Sequence, residues 1–342
     1  MVHPKIAEVI EYDVCTACGA CVSSCPAGAI TMGKKAEIRD PDNLDLYSFG
    51  AAPNVCEDCL TCSRICPVID GYVEDEFANV KRFFGAKSDI QGQDGGVTTA
   101  IVRSLFNKGE IDCVASISRN DKWETEVEVF TNGDDFLRAK GTKYTYDSVL
   151  SSLREPFKKY DKIAIVGVPC QAHGARLISE NVNDKIVLIL GLLCMESFYH
   201  DTFTEKIIPE IMGLKAEDVV KFDFGKGKFW AYTRDGEEHS VKIAEVAPHA
   251  RNPCHHCCDY TAVSADISIG SVGTPDGWNS VMIRTDVGEK YFDLVKDEFE
   301  IIEDPKPGMD LIQKLATMKH NNNSGHYLEV CEKFSFNGCG IR

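Results

Sequence analysis

One cysteine pattern, written twice near the start of the chain, constrains this sequence more than any other feature. The copies are Cys15-x2-Cys18-x2-Cys21-x3-Cys25-Pro26 and Cys56-x2-Cys59-x2-Cys62-x3-Cys66-Pro67. Thiolates at this spacing bind the corners of 4Fe-4S cubes. Zinc also binds paired Cys-x2-Cys, but its structural sites usually use two well-separated pairs rather than a run of four that ends in proline. The pattern therefore predicts two 4Fe-4S clusters and the transfer of single electrons.

The two runs are expected to exchange one ligand each. In two-cluster ferredoxins the last cysteine of a run binds the other cluster. By that rule the ligand sets are Cys15, Cys18, Cys21 and Cys66 for one cluster, and Cys56, Cys59, Cys62 and Cys25 for the other. The exchange joins both runs into one ferredoxin-like domain, residues 1–75, whose folding free energy comes largely from metal binding.

Charge and hydropathy exclude several classes of protein. The chain has 37 basic against 53 acidic side chains, which disfavours nucleic acid as a partner because phosphate binding needs a basic footprint. No apolar run approaches the roughly 20 residues that span a bilayer, and residues 1–10 lack the apolar stretch of a signal peptide. We expect a cytoplasmic protein with no membrane span of its own, whose 16 cysteines serve metals in a reducing compartment.

The pattern changes at about residue 80, where short apolar runs begin to alternate with amphipathic stretches. Interleaved strands and helices predict an α/β or α+β domain over residues 80–342. Glycine turn signals between 219 and 243 predict an inserted antiparallel β-ribbon. The predicted strands are 111–117, 163–166, 186–190, 266–269 and 281–284. The predicted helices are 97–107, 148–159, 172–179, 199–212 and 289–298.

Three glycine-marked segments of this domain are candidates for cofactor contact. Residues 92–99 lead into a predicted helix, whose free amides and dipole suit a pyrophosphate or a flavin carbonyl. They match neither the dinucleotide fingerprint nor a phosphate loop, and a tight turn alone would explain them. Residues 139–144 place Lys140 and Lys143 on either side of a glycine, where a solvated charge run is the simpler interpretation. Residues 270–280 follow a strand, and a plain surface loop is their alternative.

Four further cysteines suggest a third metal centre. Cys170 and Cys194 each follow a predicted strand, and Cys254 and Cys257 form a Cys-x2-Cys loop. If the sheet is parallel, both strand ends lie at the edge where open α/β sheets collect ligands. The four thiolates then predict a third 4Fe-4S cluster, with an interior zinc site or unligated core cysteines as alternatives. The reserve ligands are Cys258, His255 and His256.

At this point the chain resembles a known family, the β subunits of coenzyme F420-reducing hydrogenase and F420-linked formate dehydrogenase. The resemblance covers about residues 80–303 and is carried, in order, by residues 92–100, 141–144, 167–171, 191–198 and 253–273. With a two-cluster ferredoxin domain in front, the whole chain resembles the electron-input subunits of archaeal F420H2 dehydrogenases. Those subunits are peripheral modules that feed a membrane complex.

The resemblance implies cofactors and their ligands. It implies one FAD, coenzyme F420 as substrate, and a third cubane beside the flavin on Cys170, Cys194, Cys254 and Cys257. The implied FAD contacts are Gly95, Gly96, Val97, Thr98, Lys143, Gln171, Thr274 and Trp278. The adjacent pair Cys257-Cys258 departs from the family pattern and leaves the fourth cluster ligand open.

The number of electrons transferred also indicates a flavin, independently of the resemblance. A deazaflavin surrenders a hydride, which carries two electrons, whereas a cubane accepts one, so a flavin must stand between them. We therefore expect oxidation of F420H2 by hydride transfer to FAD, followed by single-electron transfer through the clusters. Lys143 or Lys140 is the expected cation near the reduced flavin. The anionic tail of the coenzyme also needs a local basic patch, and the candidates for it are Lys140, Lys143, Arg176, Arg251 and Arg284.

The expected acceptor is a membrane electron-transport complex, which would hold the chain at the cytoplasmic face, or a soluble ferredoxin. Two other functions compete with this one. In the first, the same flavoprotein core serves a hydrogenase, a formate dehydrogenase or another reductase. In the second, the chain is a non-enzymatic iron-sulfur relay, and its glycine segments are structural only.

Overall fold

The computed structural model describes residues 4–33, 36–38, 59–334 and 340–342. The predicted ligand Cys56 lies outside the described residues. Within them the chain forms an eight-stranded sheet, a three-stranded sheet and a two-stranded sheet.

The strands, in chain order, are β1 (Ile30–Met32), β2 (Ala36–Ile38), β3 (Arg82–Lys87), β4 (Cys113–Arg119), β5 (Thr125–Phe130), β6 (Ile163–Gly167), β7 (Ile186–Leu192), β8 (Val219–Gly225), β9 (Lys228–Thr233), β10 (Glu238–Lys242), β11 (Ile267–Gly270), β12 (Asn279–Ile283) and β13 (Glu300–Ile302). The helices are α1 (Pro4–Glu11), α2 (Ala20–Ser24), α3 (Thr61–Arg64), α4 (Pro67–Asp70), α5 (Val97–Asn107), α6 (Pro156–Lys159), α7 (Pro169–Asn181), α8 (Ile243–Val246), α9 (Asp286–Asp293) and α10 (Met309–Lys333). Turns of 3-10 helix span Asp135–Ala139, Val149–Arg154, Ala216–Asp218, Ala247–His249, Asn252–His256 and Lys296–Glu298, and a π-helical segment spans Thr202–Ile211.

The eight-stranded sheet organises the larger domain. Its strand order is β13-β3-β12-β11-β7-β6-β4-β5. Strands β4, β6, β7 and β11 are parallel, whereas β12, β13 and β5 pair antiparallel with their neighbours. The α/β expectation is thus confirmed as a mixed sheet rather than a wholly parallel one. All five residues of β6 are buried, as expected for a central strand covered on both faces.

Helices cover both faces of this sheet. Side chains alternate along a strand, so Ala164 and Val166 of β6 pack into one core and Ile163 and Ile165 into the other. The first core takes residues from α5 and α9, and the second takes residues from α7. The result is a three-layer domain in which each face of the sheet has its own apolar core.

Several predicted elements differ from those found. The expected helix 148–159 is a 3-10 turn, Val149–Arg154, followed by the short α6, because Pro156 interrupts a continuous helix. The expected helix 289–298 begins earlier, as α9, and breaks before a separate turn at Lys296–Glu298. The helix expected over 199–212 has π geometry, whereas the predicted antiparallel ribbon is confirmed as the three-stranded sheet β8-β9-β10.

The three-stranded sheet β8-β9-β10 is packed by aromatic side chains. Phe222 of β8 lies 4.6 Å from Trp123 and 5.1 Å from Phe203, ring centre to ring centre. Gln93 Nε2 donates to the Phe222 carbonyl at 2.9 Å. This sheet therefore lies against the glycine segment 92–96.

The cysteine-rich amino-terminal part packs on the sheet face that carries α7. Cys18, Ala20 and Ile65 share the second apolar core with residues of α7 and of the turn Val149–Arg154. The Leu150 N–H donates to the Cys18 carbonyl at 3.1 Å. Hydrogen bonds thus join the cysteine loops directly to the sheet domain.

Asp266, which directly precedes β11, is a buried carboxylate. Its substitution tests how far the sheet depends on it. It accepts from Arg176 Nη2 at 2.6 Å, from Thr285 Oγ1 at 2.7 Å and from the Ile189 N–H at 2.8 Å. Asp266→Ala leaves these donors unpaired, so we expect the apparent free energy of unfolding to fall by about 3 kcal/mol or more, measured by thermal denaturation. The exposed pair Asp134–Arg103 supplies the control, since Asp134→Ala should cost less than about 1 kcal/mol. Equal effects of the two substitutions would contradict this view of Asp266.

Candidate electron-transfer site

Five strands of the large sheet end at one edge. Strand β3 pairs antiparallel with β12, which pairs antiparallel with β11, so β3 runs in the same direction as β4, β6, β7 and β11. Residues 88–96, Cys170, Cys194 and residues 271–278 all follow these strands. The sequence expectation that Cys170 and Cys194 lie on one edge is therefore confirmed by the topology.

Four cysteines come together there, and we call Cys170, Cys194, Cys254 and Cys257 the strand-end cysteines. Cys170 lies in the first turn of α7, Cys194 follows β7, and the other two lie in or just after the turn Asn252–His256. Burial raises the pKa of the Cys194 thiol to about 12, and Cys254 and Cys257 add to the rise. Burial and then Cys257 raise the pKa of the Cys170 thiol. The four cysteines thus lie close together, and the thiols of Cys170, Cys194 and Cys257 are costly to ionise without a metal because burial raises their pKa values.

Hydroxyl groups surround these sulfurs. The Tyr146 hydroxyl lies 3.6 Å from Cys170 Sγ, and Ser197 Oγ lies 3.6 Å from Cys254 Sγ. Hydrogen bonds to the sulfurs are one of the means by which proteins set the potential of iron-sulfur clusters. Among the described residues no three His, Cys, Asp or Glu side chains are arranged as ligands of a single metal ion, whereas each thiolate of a cubane binds its own iron.

The long helix α10 supports the same group. Lys319 Nζ donates to the carbonyls of Cys194 at 2.7 Å and Asp259 at 2.8 Å. Asn323 Nδ2 donates to the carbonyls of Cys254 at 2.9 Å and Cys257 at 2.8 Å. Neither residue was predicted from the sequence. The available signal was a spacing of three or four residues along α10. The residues of this helix that face the interior at that spacing are Ile312, Ala316, Lys319, Asn323, Tyr327 and Val330.

Two buried cations show that the site suits an anionic occupant. Lys319 and Arg251 are only 3% and 2% exposed. In the part of the chain that the structure describes, neither forms an ion pair with an Asp or Glu side chain. Asp259 interacts with Lys319 at longer range than an ion pair, and a buried cation that lacks a close counter-charge is costly. A cubane held by four thiolates carries net negative charge, so the strand-end cysteines and their surroundings fit such a cluster.

Four amino-terminal cysteines form a second group, Cys15, Cys18, Cys21 and Cys66, which we call the Cys18 group; all but Cys15 are buried. Burial raises the pKa of the Cys21 thiol, and Cys15, Cys18 and Cys66 raise it further. Gly19 adopts a φ of +91°, and a Cβ there would lie 2.3 Å from the Ser151 amide nitrogen. The first cysteine loop therefore needs glycine where it presses on the sheet domain.

The other amino-terminal ligand set is described only in part. Cys25 Sγ accepts from the Ala29 N–H at 3.3 Å, Cys62 is buried and Cys59 is exposed. The fourth predicted ligand, Cys56, lies outside the described residues, so the composition of this set stays a prediction.

Helix α7 brings the strand-end cysteines close to the Cys18 group. A Cβ on Gly174 would lie 3.3 Å from Cys18 Sγ. Cys170 lies four residues before Gly174, so both are on one side of the helix. The pKa of the Cys170 thiol is raised by burial, then by Cys257 and by Cys18. The two cysteine groups are therefore close neighbours.

The glycine segments meet through Asn279, which lies at the end of the candidate segment 270–280. Its Nδ2 donates to the Gly270 carbonyl at 3.0 Å, and its Oδ1 accepts from the Val97 N–H at 3.2 Å. A Cβ on Gly95 would lie 2.6 Å from the Ala86 oxygen, and one on Gly96 would lie 2.0 Å from the Ile90 oxygen. The protein's own backbone packing thus requires both glycines, with or without a cofactor.

Three other predicted FAD contacts have partners within the protein. Gln171 caps α7, since its Oε1 accepts from the Val168 N–H and its Nε2 donates to the Asp147 carbonyl. Thr274 Oγ1 donates to the Trp278 carbonyl at 3.1 Å. Lys87 Nζ lies 6.0 Å from the centre of the Trp278 ring. Contacts of these residues with FAD stay predictions, as does that of Thr98 at the start of α5.

The two candidate lysines lie in different surroundings. Lys140 is exposed, whereas Lys143 is partly buried and donates to the Ala139 carbonyl. Burial, and then Arg119, lower the pKa of Lys143 to about 7. A buried ammonium of this kind would gain from an anionic ligand, so Lys143 fits a flavin cofactor better than Lys140 does.

Two of the basic residues considered for the coenzyme tail, Arg251 and Arg284, lie in the interior. Arg284 donates to the carbonyls of Glu76 and Thr261. Burial leaves neither arginine available to a free anionic tail. Arg176 is partly exposed and pairs with Asp266, and its contact with the tail stays a prediction.

Comparison with known families gives three matches along the chain. Residues 85–154 match the family model for the amino-terminal part of the coenzyme F420 hydrogenase/dehydrogenase beta subunit, and residues 160–307 match the model for its carboxy-terminal part. Residues 14–69 match a 4Fe-4S dicluster domain.

Among curated proteins, the chain is similar to a subunit of the F420H2 dehydrogenase of Methanosarcina mazei, with 65% identity over 99% of this chain and 98% of that protein. It is similar to the beta subunit of the coenzyme F420 hydrogenase of Methanococcus voltae, with 36% identity over 72% of this chain and 94% of that protein. It is also similar to the coenzyme F420-dependent sulfite reductase of Methanocaldococcus jannaschii, with 31% identity over 92% of this chain but only 50% of that protein.

A solved structure shares the fold. The F420-reducing [NiFe] hydrogenase complex of Methanosarcina barkeri, determined as a xenon derivative, contains a chain that matches with a TM-score of 0.71 and 32% identity. The match covers 79% of this chain and 98% of that one. Among the described residues, no helix is long and apolar enough to cross a membrane.

The adjacent pair Cys257-Cys258 allows a test of the third ligand set. Cys257, and not Cys258, is among the residues that shift the pKa values of Cys170 and Cys194 most. We expect Cys257→Ala to lower the iron content of anaerobically purified protein from about twelve to about eight per chain, and Cys258→Ala to leave it unchanged. Iron and sulfide analysis measures both. The opposite pattern would assign the ligand to Cys258.

Proposed function

The chain belongs to the coenzyme F420 hydrogenase/dehydrogenase beta-subunit family, and from this premise we propose that it oxidises reduced coenzyme F420 as the electron-input subunit of a larger complex. The proposed reaction transfers a hydride from F420H2 to FAD, and the electrons then leave one at a time through three 4Fe-4S clusters. One observation carries this proposal: the strand-end cysteines lie at the same sheet edge as the glycine segments and beside the Cys18 group. A single path of buried groups thus leads from a cofactor edge to the amino-terminal clusters.

When bound, FAD supplies an acceptor that takes a hydride and releases its electrons singly. The residues that would hold it are those at the meeting of α5, the segment after β11 and the turn around Lys143. The ammonium of Lys143 would compensate negative charge on the cofactor. Asn279 fixes the start of α5 against the end of β11, which keeps the amides of that helix directed towards the same edge.

The protein itself supplies orientation and electrostatics. The mixed sheet fixes the strand ends, and α10 fixes the cysteine loop through Asn323. The buried cations Lys319 and Arg251 favour added negative charge near the cysteines. No acid or base side chain is required, because hydride transfer between two ring systems can proceed by orientation alone.

The amino-terminal part favours this function over service to a hydrogenase. The similarity to the F420H2 dehydrogenase protein spans 99% of the chain, whereas that to the hydrogenase protein spans 72%. Two further clusters would give the electrons an exit towards a membrane electron-transport complex or a soluble ferredoxin. In the first case the protein would lie at the cytoplasmic face of the membrane through its partners.

Cofactor content separates the proposed enzyme from a relay. Anaerobically purified and reconstituted protein should contain about twelve irons and one flavin per chain. With an artificial one-electron acceptor it should restore the deazaflavin absorbance by oxidising F420H2. With an artificial one-electron donor it should bleach that absorbance. About eight irons with no flavin would leave only the relay, and a full cofactor complement without turnover of F420H2 would reject the substrate.

Lys143 should make FAD binding depend on pH. In the flavin-free protein its pKa is about 7, and an anionic ligand favours its charged form. Above pH 7 binding therefore takes up a proton, so the Kd for FAD should rise between pH 7 and pH 9, approaching tenfold per unit. Fluorescence titration of flavin-free protein with FAD measures this.

Matched variants assign the effect to that side chain. Lys143→Ala should bind FAD more weakly at pH 6 and lose the pH dependence, while Lys143→Arg should keep the affinity and flatten the profile because arginine stays charged. Lys140→Ala, on the exposed neighbour, should behave as the wild type. Unchanged FAD affinity in Lys143→Ala would remove this residue from the site.

A further inference from the structure

Arg251 lies between the strand-end cysteines and the Cys18 group. It directly precedes the turn Asn252–His256, and only 2% of it is exposed. Its Nη2 donates to the Thr16 carbonyl at 2.7 Å. Thr16 stands between Cys15 and Cys18 in the first cysteine loop, so one end of the guanidinium is anchored to the Cys18 group.

The same side chain faces the strand-end cysteines. The guanidinium carbon lies 3.6 Å from the centre of the Tyr146 ring, and the Tyr146 hydroxyl lies 3.6 Å from Cys170 Sγ. Arg251 Nη1 lies 3.5 Å from Ser197 Oγ, which is itself 3.6 Å from Cys254 Sγ. Arg251 therefore contacts both cysteine groups through a single intervening residue, which is Thr16 for the Cys18 group and Tyr146 or Ser197 for the strand-end cysteines.

The charge of Arg251 has no carboxylate partner among the described residues, and its buried Nε has no hydrogen-bond partner there. An arginine stays charged at any pH that proteins encounter. A cubane with its thiolates is anionic, and its negative charge grows when it accepts an electron. In a poorly solvated interior a nearby cation stabilises the reduced form more than the oxidised form.

We propose that Arg251 is a positioning residue that raises the reduction potentials of the strand-end cluster and the Cys18 cluster and links them as successive steps of electron transfer. The inference rests on the proposed function, because it requires a cluster on the strand-end cysteines. In this step the strand-end cluster gives up one electron and the Cys18 cluster gains it, so no further reactant is needed. The Cys18 cluster is then the first of the two amino-terminal clusters to be reduced.

The test measures cluster potentials in the full-length protein. Anaerobic redox titrations followed by electron paramagnetic resonance would compare wild type with Arg251→Gln, Arg251→Met and Arg251→Lys. In the neutral variants we expect the equilibrium for one-electron reduction of both clusters to become about tenfold less favourable, a lowering of about 59 mV. Arg251→Lys keeps the charge and should restore most of the difference.

Arg154 supplies a matched control. It also donates to carbonyls of the cysteine loops, those of Val22 and Cys25, at 2.8 Å and 2.7 Å. Within the described part of the chain, its hydrogen bonds run to this loop and not to Tyr146 or Ser197. Arg154→Gln should leave the potential of the strand-end cluster unchanged. An equal shift of that potential in Arg154→Gln and Arg251→Gln would overturn the specific role of Arg251.

Iron content distinguishes a failure of the proposed function from a failure of the role proposed for Arg251. About eight irons in the wild type would reject the proposed function itself. About twelve irons in the wild type and in a neutral variant, with unshifted potentials, would overturn the role of Arg251 alone. If only Arg251→Lys retains the irons, the requirement for charge supports the inference, whereas loss of irons in all three variants would show a packing role instead.

Discussion

The pairing of buried sulfur with buried positive charge is the interaction on which this structure depends. Lys319 and Arg251 lie in the interior beside cysteines, and in the described part of the chain neither forms an ion pair with a carboxylate, although Asp259 interacts with Lys319 at longer range. Neither arrangement is favourable alone, since thiolates resist burial and so do unpaired cations. Together, with metal bound, they neutralise each other. Helix α10, the turn that follows Arg251 and the first cysteine loop are joined by hydrogen bonds around these cysteines.

The sheet provides the geometry that the charges need. Because β6 and β7 are parallel neighbours, the cysteines that follow them start from adjacent points of one edge. Helix α7 then carries one of these cysteines on the side that faces Cys18, and Gly174 allows close contact with it. The amino-terminal part is therefore attached beside the strand-end cysteines, where the proposed electron path would pass. His173 and Asp70, 2.9 Å apart, add a polar contact across the same boundary.

Much of this arrangement could be predicted from the sequence, for identifiable reasons. The cysteine spacing indicates clusters because ligand geometry is local, and the strands were found because they are short, apolar and bounded by turn residues. The helix at 148–159 was wrong because the effect of Pro156 outweighed helical periodicity. Asn279 and Arg251 were candidates, but their contacts could not be predicted because these arise only when segments distant in sequence meet. Lys319 and Asn323 were missed although their spacing on α10 is regular, since a polar residue on an apolar stripe is usually taken as exposed.

An anomalous difference map, collected on both sides of the iron absorption edge from anaerobically grown crystals, tests the central claim most directly. The account predicts separate iron density enclosed by Cys170, Cys194, Cys254 and Cys257, in addition to density at the amino-terminal cysteines. Iron at the amino-terminal cysteines alone, or a zinc signal among these four sulfurs, would contradict it.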